Sequence, residues 1–487
     1  MLKLICIFTF ALVSIQSRSA EEWKSRLIYQ VITDRFAKTD NDITPCDDLH
    51  DYCGGTFRGI VNNLDYITGM GFNAIWISPV VENINKGYHG YWAKNFYNIN
   101  PNFGTKQDFK DLIRACHKRD VWIMIDVVAN HVGPVGDNFT DIVPFSNASF
   151  YHSSCPILDF SNETQLLDCR LADLPDLSQE NNATKELLLN WIHEFVQEYH
   201  IDGIRLDTAP YLPRKFLSEF AETAGVFTIG EVFVGNFSYI APYQEYLPGI
   251  LNYPLNDALR DVFQKQNSMK QIQEYYQLAN HLWKDQTLLG VFIDNHDIPR
   301  FLNKTHNLTN FKAAIAFSIL SVGIPIVYQG DEQAFHGGED PENREPLWTS
   351  MDVGSEMYEW ITDLIAIKSK TQIFSENQTE IDCDDNFYAF SRGKLLAVFT
   401  NDLKTQTRII ENQQLYSDGT ILCNLLKEGQ EEDCVTVEKS SINITLRKGE
   451  TKIYYPVTSE EMNLSTLIYS GLFAITLSFG LILHFCL

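Results

Sequence analysis

The sequence predicts an α/β protein: a closed (β/α)8 barrel of the TIM type, with a loop-rich insert after its third strand and an antiparallel β-domain at its C-terminal end. Eight apolar runs rich in Val, Ile, Leu and Phe recur along the chain with helical stretches between them, and eight is the number that closes such a barrel. Between residues 131 and 182 this rhythm stops, and Asn, Ser, Pro and Gly dominate around a pair of cysteines. After about residue 374 short alternating runs take over, such as FYAFSRG (387–393) and LLAVFTND (395–402), the pattern of antiparallel strands.

The eight runs are LIYQVITDRF (27–36), FNAIWISP (72–79), VWIMIDVVA (121–129), IDGIRLD (201–207), FTIGEVF (227–233), GILNY (249–253), LLGVFID (288–294) and IPIVYQG (324–330). Their near-continuous apolar character is that of strands covered on both faces. LLLNWIHEFVQEYH (187–200) shows the apolar spacing of an amphipathic helix between them. The barrel is therefore expected over 21–130 and 183–374, the insert over 131–182, and the β-domain over 375–457.

A chain of 487 residues is long enough for a large barrel and an accessory domain. Its 38 basic and 63 acidic residues leave a net charge of −25. That balance disfavours nucleic acid and anionic lipid surfaces and suits a neutral partner, although an acidic surface also serves solubility alone. Residues 1–20 combine a basic residue, an apolar run and small residues near Ala20, the layout of a signal peptide. Asn-x-Ser/Thr acceptors at Asn138, Asn147, Asn162, Asn182, Asn236, Asn303, Asn307, Asn377, Asn443 and Asn463 suit passage through a secretory pathway. Residues 458–487 form a polar spacer and an uncharged apolar tail with no basic residue after it. This reads as a lipid-anchor attachment signal, or as a retained membrane helix. The expected location is extracellular or at the cell surface, with the tail as membrane contact and the chain as a monomer.

Of ten cysteines, Cys6 falls in the leader and Cys486 in the tail. Cys423 and Cys434 are candidates for a bridge in the last domain, Cys116 reads as a buried thiol in a helix, and Cys383 has no evident partner.

Three acids stand at or near the ends of strand-like runs: Asp207, Glu231 and Asp297. One such acid would be an ordinary helix cap. Three on successive βα units can converge above the barrel, and two carboxyls flanking a bond are the machinery of glycoside hydrolysis. Arg205, two residues before Asp207, shares its strand face and favours a charged carboxyl there.

The words DVVANH (126–131), GIRLDTA (203–209), GEV (230–232) and DNHD (294–297) resemble the four signature segments of the α-amylase family of glycoside hydrolases, with the closest likeness to secreted fungal-type members. The resemblance continues through CGGTFRGI (53–60), GYHGYW (87–92), LPDLSQ (174–179), ILNYP (250–254), GIPIVYQG (323–330) and GGEDPENRE (337–345), spanning about residues 27–348. It implies a retaining, endo-acting α-1,4-glucan hydrolase acting on starch or glycogen-like polysaccharide. An α-glucosidase, a surface α-glucanosyltransferase and an inactive amylase-like binding protein are the alternatives.

Carried over residue by residue, the resemblance makes Asp207 the nucleophile, Glu231 the acid/base and Asp297 the third acid. Tyr91, Trp92, His131, Arg205, Gly235, His296, Asp340 and Arg344 are implied to bind substrate, with Tyr91 and Trp92 as an aromatic platform. Asn130, Leu167, Asp176 and Tyr211 are implied ligands of a structural Ca2+, Leu167 and Tyr211 through their carbonyl oxygens. It also places disulfides at Cys46–Cys53 and Cys155–Cys169. Pro210-Tyr211 stands where fungal-type members carry Lys-His, and the loop after Cys169 is shorter.

Overall fold

The computed structural model describes residues 18–411, 415–426 and 433–457. The expected leader (1–20) therefore lies almost wholly outside the described residues, and the spacer and apolar tail (458–487), with Asn463, lie outside them completely. No helix among the described residues is long and apolar enough to cross a membrane.

Eight parallel strands form the barrel: β1 (Ile28–Val31), β2 (Ala74–Ile77), β3 (Trp122–Val127), β4 (Gly203–Leu206), β5 (Phe227–Gly230), β6 (Gly249–Ile250), β7 (Gly290–Val291) and β8 (Ile324–Tyr328). They pair in the order β6-β5-β4-β3-β2-β1-β8-β7. A parallel bridge from Leu251 to Gly290 joins the two ends and closes the ring.

Alternation along each strand explains why the runs read as apolar throughout. Ile28, Ala74, Trp76, Trp122, Met124, Phe227, Ile229, Ile324 and Ile326 pack inside the barrel in one cluster. Tyr29, Ile75, Ile77, Ile123, Ile125, Ile204, Leu206 and Val327 face outward into the larger cluster shared with the helices. Trp23 plugs the floor of the barrel and donates from its indole nitrogen to the Asp202 carbonyl at 3.1 Å. A Cβ on Gly203 would come within 2.5 Å of that indole, so β4 has to start with glycine.

Two expected strands shrink to two residues each. The run at 288–294 pairs only at Gly290–Val291, and the run at 249–253 only at Gly249–Ile250. Past Val291 the carbonyls of Phe292 and Ile293 accept from the Asn256 side chain at 3.0 and 2.8 Å. Those groups are thus satisfied without a ladder, and the chain leaves the sheet early.

The insert is built from loops, as expected, with one short helix (Glu163–Asp168) and two 3-10 turns. Its own small core stacks Phe139 on Tyr151 with ring centroids 3.9 Å apart. It is tied to a hairpin following β2 (Val81–Asn83 with Ala93–Ile99) through the Asn95–Val143 bridge. Disulfides link Cys46–Cys53, Cys155–Cys169 and Cys423–Cys434, while Cys116 is a buried thiol and Cys383 is free.

The C-terminal domain contains β9 (Gln378–Cys383), β10 (Phe387–Arg392), β11 (Leu395–Thr400), β12 (Gln406–Glu411), β13 (Ile421–Asn424), β14 (Cys434–Thr436), β15 (Ser441–Leu446) and β16 (Lys452–Pro456). A six-stranded antiparallel sheet, β9-β10-β11-β16-β13-β14, packs on the β12–β15 pair. Its other face meets the barrel helix Leu308–Leu320, whose Phe317 ring lies 5.8, 5.2 and 5.1 Å from those of Tyr388, Phe390 and Phe399.

Two buried basic side chains finish this joint. Arg392 donates to the carbonyls of Leu320, Ser321, Phe374 and Glu376 at 2.9, 2.6, 3.2 and 3.1 Å. Lys368 donates to Ile319 O at 2.6 Å. Both sit at the C-terminal end of the Leu308–Leu320 helix and donate to its last carbonyls, while burial and the neighbouring Arg392 hold the Lys368 amine well below the usual lysine range. Replacing Arg392 by Met leaves these buried carbonyls without a donor, and is expected to cost about 2–4 kcal/mol in urea unfolding. A loss below about 0.5 kcal/mol would show that packing alone joins the domains.

Candidate active site

β3 and β4 run side by side with Asp126 in register with Arg205, both pointing into the barrel mouth. The chain then steps upward: Asp207 N–H donates to Val127 O at 3.0 Å, and Glu231 N–H to Leu206 O at 2.9 Å. These bonds extend the ladder just past the strands and set both acids on the rim. Thr208 between them holds φ +50°, rare for a β-branched residue. That turn aims its N–H at Glu231 Oε2, 3.0 Å away.

Arg205 is the hub of the site. Its Nη1 meets Asp126 Oδ1 at 3.0 Å and Asp207 Oδ1 at 2.5 Å, and its Nη2 meets Glu231 Oε1 at 2.7 Å. Three buried carboxyls thus share one guanidinium. Burial pushes the Glu231 carboxyl up to about 8, with Asp207 and Asp297 adding to the rise and Arg205 opposing it. Burial outweighs the repulsion of the neighbouring carboxylates in this rise. Burial likewise lifts Asp126 to about 7 against the pull of Arg205.

Asp297 arrives differently, six residues beyond β7 rather than at a strand end. Its N–H donates to Asn295 Oδ1 at 2.9 Å, and its side chain is the most open of the trio, 25% exposed against 9% for Asp207 and 8% for Glu231. The loop is braced from below. Arg260 donates to Asp294 Oδ1, Ile293 O and Pro299 O at 2.8, 3.1 and 2.7 Å, and Asp294 accepts from Phe301 N–H at 2.9 Å.

His296 completes the floor. Gln30 Nε2 donates to its Nδ1 at 2.7 Å, and Tyr91 Oη lies 2.6 Å from its Nε2 while donating to Asp126 Oδ2 at 2.8 Å. The one Tyr91 proton is committed to Asp126, so His296 Nε2 carries hydrogen and the imidazole is neutral. Burial, then Arg344 and Arg205, hold its pKa well below the usual histidine value. His131 is buried, with its pKa lowered by burial, and its Nε2 makes no close hydrogen bond among the described residues.

Tyr91 stacks on His296 at 2° and on His89 at 23°, while Trp92 meets His89 edge-on at 4.7 Å. Tyr91 therefore belongs to a row of rings within the site, and Trp92 abuts the far end of that row. Arg344 binds Asp340 Oδ1 at 3.0 Å, Asp297 Oδ1 at 3.4 Å and His296 O at 2.9 Å. The GGEDPENRE loop is thereby fastened to the third acid. Gly235 lies against Asp257: a Cβ there would fall 2.0 Å from Asp257 Oδ2. Past the acids a groove of about 530 Å3 continues between Phe233, Tyr253, Asp257, Arg260, Ile298 and Pro299.

Several of these groups are absent from the expected set. Asp126 lies inside the DVVANH word and Tyr88 and His89 inside GYHGYW, so the words carried the signal. Gln30, Arg260 and Phe233 had no local signal, because they reach the site only through barrel closure and loop packing.

The expected calcium ligands meet in part. The Asn130 amide end lies 2.9 Å from Tyr211 O and 3.2 Å from Asp176 Oδ1. With its nitrogen inward the amide donates to both; with its oxygen inward three oxygens face one another, an arrangement that a hard cation would satisfy. Asp176 is also held by His152 Nδ1 at 2.6 Å. Leu167 sits in the short helix of the insert, Glu163–Asp168, which packs against the Ala209–Tyr211 turn. The described residues hold no group of three or more His, Cys, Asp or Glu able to bind a metal, so the fit rests on an amide, a carbonyl and one carboxylate.

Residues 30–372 match the model of the α-amylase catalytic domain. The chain belongs to the α-amylase family. It is 36% identical over 463 residues to an α-amylase of Saccharomycopsis fibuligera, covering 90% of this chain and 92% of that one. It is 42% identical over 374 residues to α-amylase 1 of Lipomyces kononenkoae, covering 73% and 60%. A solved α-amylase from Malbranchea cinnamomea superposes with a TM-score of 0.86 at 34% identity, covering 90% of this chain and 97% of that one. For this α-amylase-family chain, barrel, β-domain and glycoside-hydrolase class follow from the same matches.

Glu231 titrates at about 4.5 when unfolded and about 8 when folded. Between those values the folded state holds the extra proton, so this group makes stability fall as pH rises. Glu231→Gln cannot titrate. Its gain in melting temperature over wild type is expected to grow from pH 5 to pH 8, and a gain independent of pH would show that Glu231 is not held protonated.

Proposed function

We propose that this α-amylase-family protein is a retaining, endo-acting hydrolase of α-1,4-glucans such as starch or glycogen. The observation that carries it is the Arg205 fork, which binds Asp207 and Glu231 at once and so keeps the two carboxyls side by side. That closeness suits the roughly 5 Å spacing of retaining enzymes rather than the wider gap that must admit a water. Glu231, buried and protonated, gives its proton to the glycosidic oxygen as Asp207 attacks the anomeric carbon. A water then releases the sugar from Asp207, and Glu231 takes that water's proton. Neutral His296, the Nε2 of His131, Asp297 and Arg344 are placed to hold sugar hydroxyls in the adjoining subsite. The groove running on past Phe233 supports a chain that extends through the site, hence internal cleavage.

The Asn130, Asp176 and Tyr211 oxygens would hold a Ca2+ that pins the insert to the rim of β3. The helix of Leu167 packs on the turn that carries Tyr211, which supports its carbonyl as a fourth ligand. Three disulfides suit an oxidising, extracytoplasmic setting, and the apolar run at 467–487 is read as the means of holding the enzyme at a membrane surface.

Asp207→Asn is expected to lower turnover of soluble starch at least about a thousandfold without changing the melting temperature much. In wild type, proton NMR of fresh digests should show the α-anomer first. Near-normal turnover in the variant, or β-anomer first, would overturn the assignment.

Chelation should lower the melting temperature of wild type, because a cation bound only to the folded state stabilises it by mass action. Asp176→Ala should melt lower and no longer respond to chelator. If both proteins ignore chelator and metal analysis finds no calcium in wild type, the site is not a calcium site.

A further inference from the structure

The loop after β5 that carries Glu231 also carries Asn236-Phe237-Ser238, an Asn-x-Ser acceptor. Both Asn236 and Ser238 are exposed. Asn236 Oδ1 caps the short helix Phe237–Ile240 by accepting from Tyr239 N–H at 3.3 Å. The opposite atom of that amide, Nδ2, makes no hydrogen bond within the described residues. Phe237 pins the turn between Tyr275 and Trp283, with ring centroids at 5.2 and 5.9 Å, so the direction of Asn236 is fixed. One residue earlier, Gly235 lies directly against Asp257, a wall of the groove that leads away from the acids. The other wall includes Phe233, 54% exposed, with its ring 4.6 Å from that of Tyr253.

Asn303 is the other acceptor beside the site, six residues past Asp297, and it differs in the decisive atom. Its Nδ2 donates to His336 O at 3.0 Å and the residue is half-buried. The remaining acceptors among the described residues lie on the insert, the barrel helices or the β-domain.

We propose that Asn236 carries an N-linked glycan that stands at the rim of this groove and restricts the entry of bulky, branched glucan more than that of short linear chains. The transfer joins Asn236 Nδ2 to the anomeric carbon of an oligosaccharide borne on a lipid pyrophosphate; the amide gives up one proton and the lipid pyrophosphate leaves. Attachment rests on the acceptor sequence, its exposure and the free Nδ2, whereas the gating effect rests on the glucan-hydrolase reading.

The full chain should be secreted from a glycosylating eukaryotic host and its peptides released by N-glycosidase in heavy-oxygen water. The Asn236 peptide is expected to gain the label and the Asn303 peptide to stay unmodified. An unmodified Asn236 overturns the proposal. Ser238→Ala and Asn236→Asp both remove the acceptor while keeping an oxygen to cap the helix. Each is expected to lower KM for soluble amylopectin about threefold and to leave kcat/KM for maltotetraose unchanged. An occupied Asn236 with no change in the ratio of the two substrates overturns the gating role. Loss of activity on both substrates in the wild type would instead count against the hydrolase reading and leave the glycan in place.

Discussion

One buried guanidinium organises the centre of this protein. Arg205 lies beneath the barrel rim with Asp126, Asp207 and Glu231 all on its two terminal nitrogens. Burying three carboxyls against one cation is costly if all are ionised, since the desolvation of each is repaid only once. The least costly arrangement leaves a proton among them, and the raised Glu231 and Asp126 carboxyls are its expression. Neutral donors complete the balance: Tyr91 and Trp76 both bond Asp126 Oδ2, at 2.8 and 3.1 Å. An acid able to give a proton at neutral pH is thus first a consequence of burial in the barrel mouth, with the crowding of Asp207 and Asp297 adding to it.

The strand ladder delivers two of the acids, and side chains deliver the third. Asp207 and Glu231 follow from backbone bonds that prolong β4 and β5 by one residue each. Asp297 lies beyond a two-residue strand, in a loop held by the Arg260–Asp294 pair below and by Arg344 and Asn343 at its side. This division explains its greater exposure: a loop acid stands at the open edge, while the ladder acids are buried at the strand ends. The insert contributes in the same indirect way, since His131 pairs with Asp176 across an antiparallel bridge at the point where insert and barrel meet.

The C-terminal sheet is not an independent appendage. Its inner face completes the core around Phe317, and Arg392 and Lys368 reach back to satisfy the last carbonyls of a barrel helix. The barrel is the platform on which the loops stand, and this joint holds the helix behind β8 and hence the GGEDPENRE loop that follows it.

Much was legible from residues alone. Eight apolar runs, an insert poor in apolar spacing and a change to alternating strands are each written in local composition, because burial on two faces, one face or none selects different residues. The three acids, Arg205, His131 and His296 were likewise visible within their words, and all of them meet in one site. The lengths of β6 and β7, the row formed by His89, Tyr91 and His296, and the bracing by Arg260 and Gln30 were not. Those features depend on which distant group satisfies a given carbonyl or ring nitrogen, and sequence spacing does not name that partner, whether it lies 34 residues away, as Asp294 does from Arg260, or 266, as His296 does from Gln30. The sequence by itself determined the order of elements and the family to which the chain belongs. Only the tertiary structure decided which carboxyls are raised toward holding a proton, because that depends first on how deeply each is buried and then on the charges that face it.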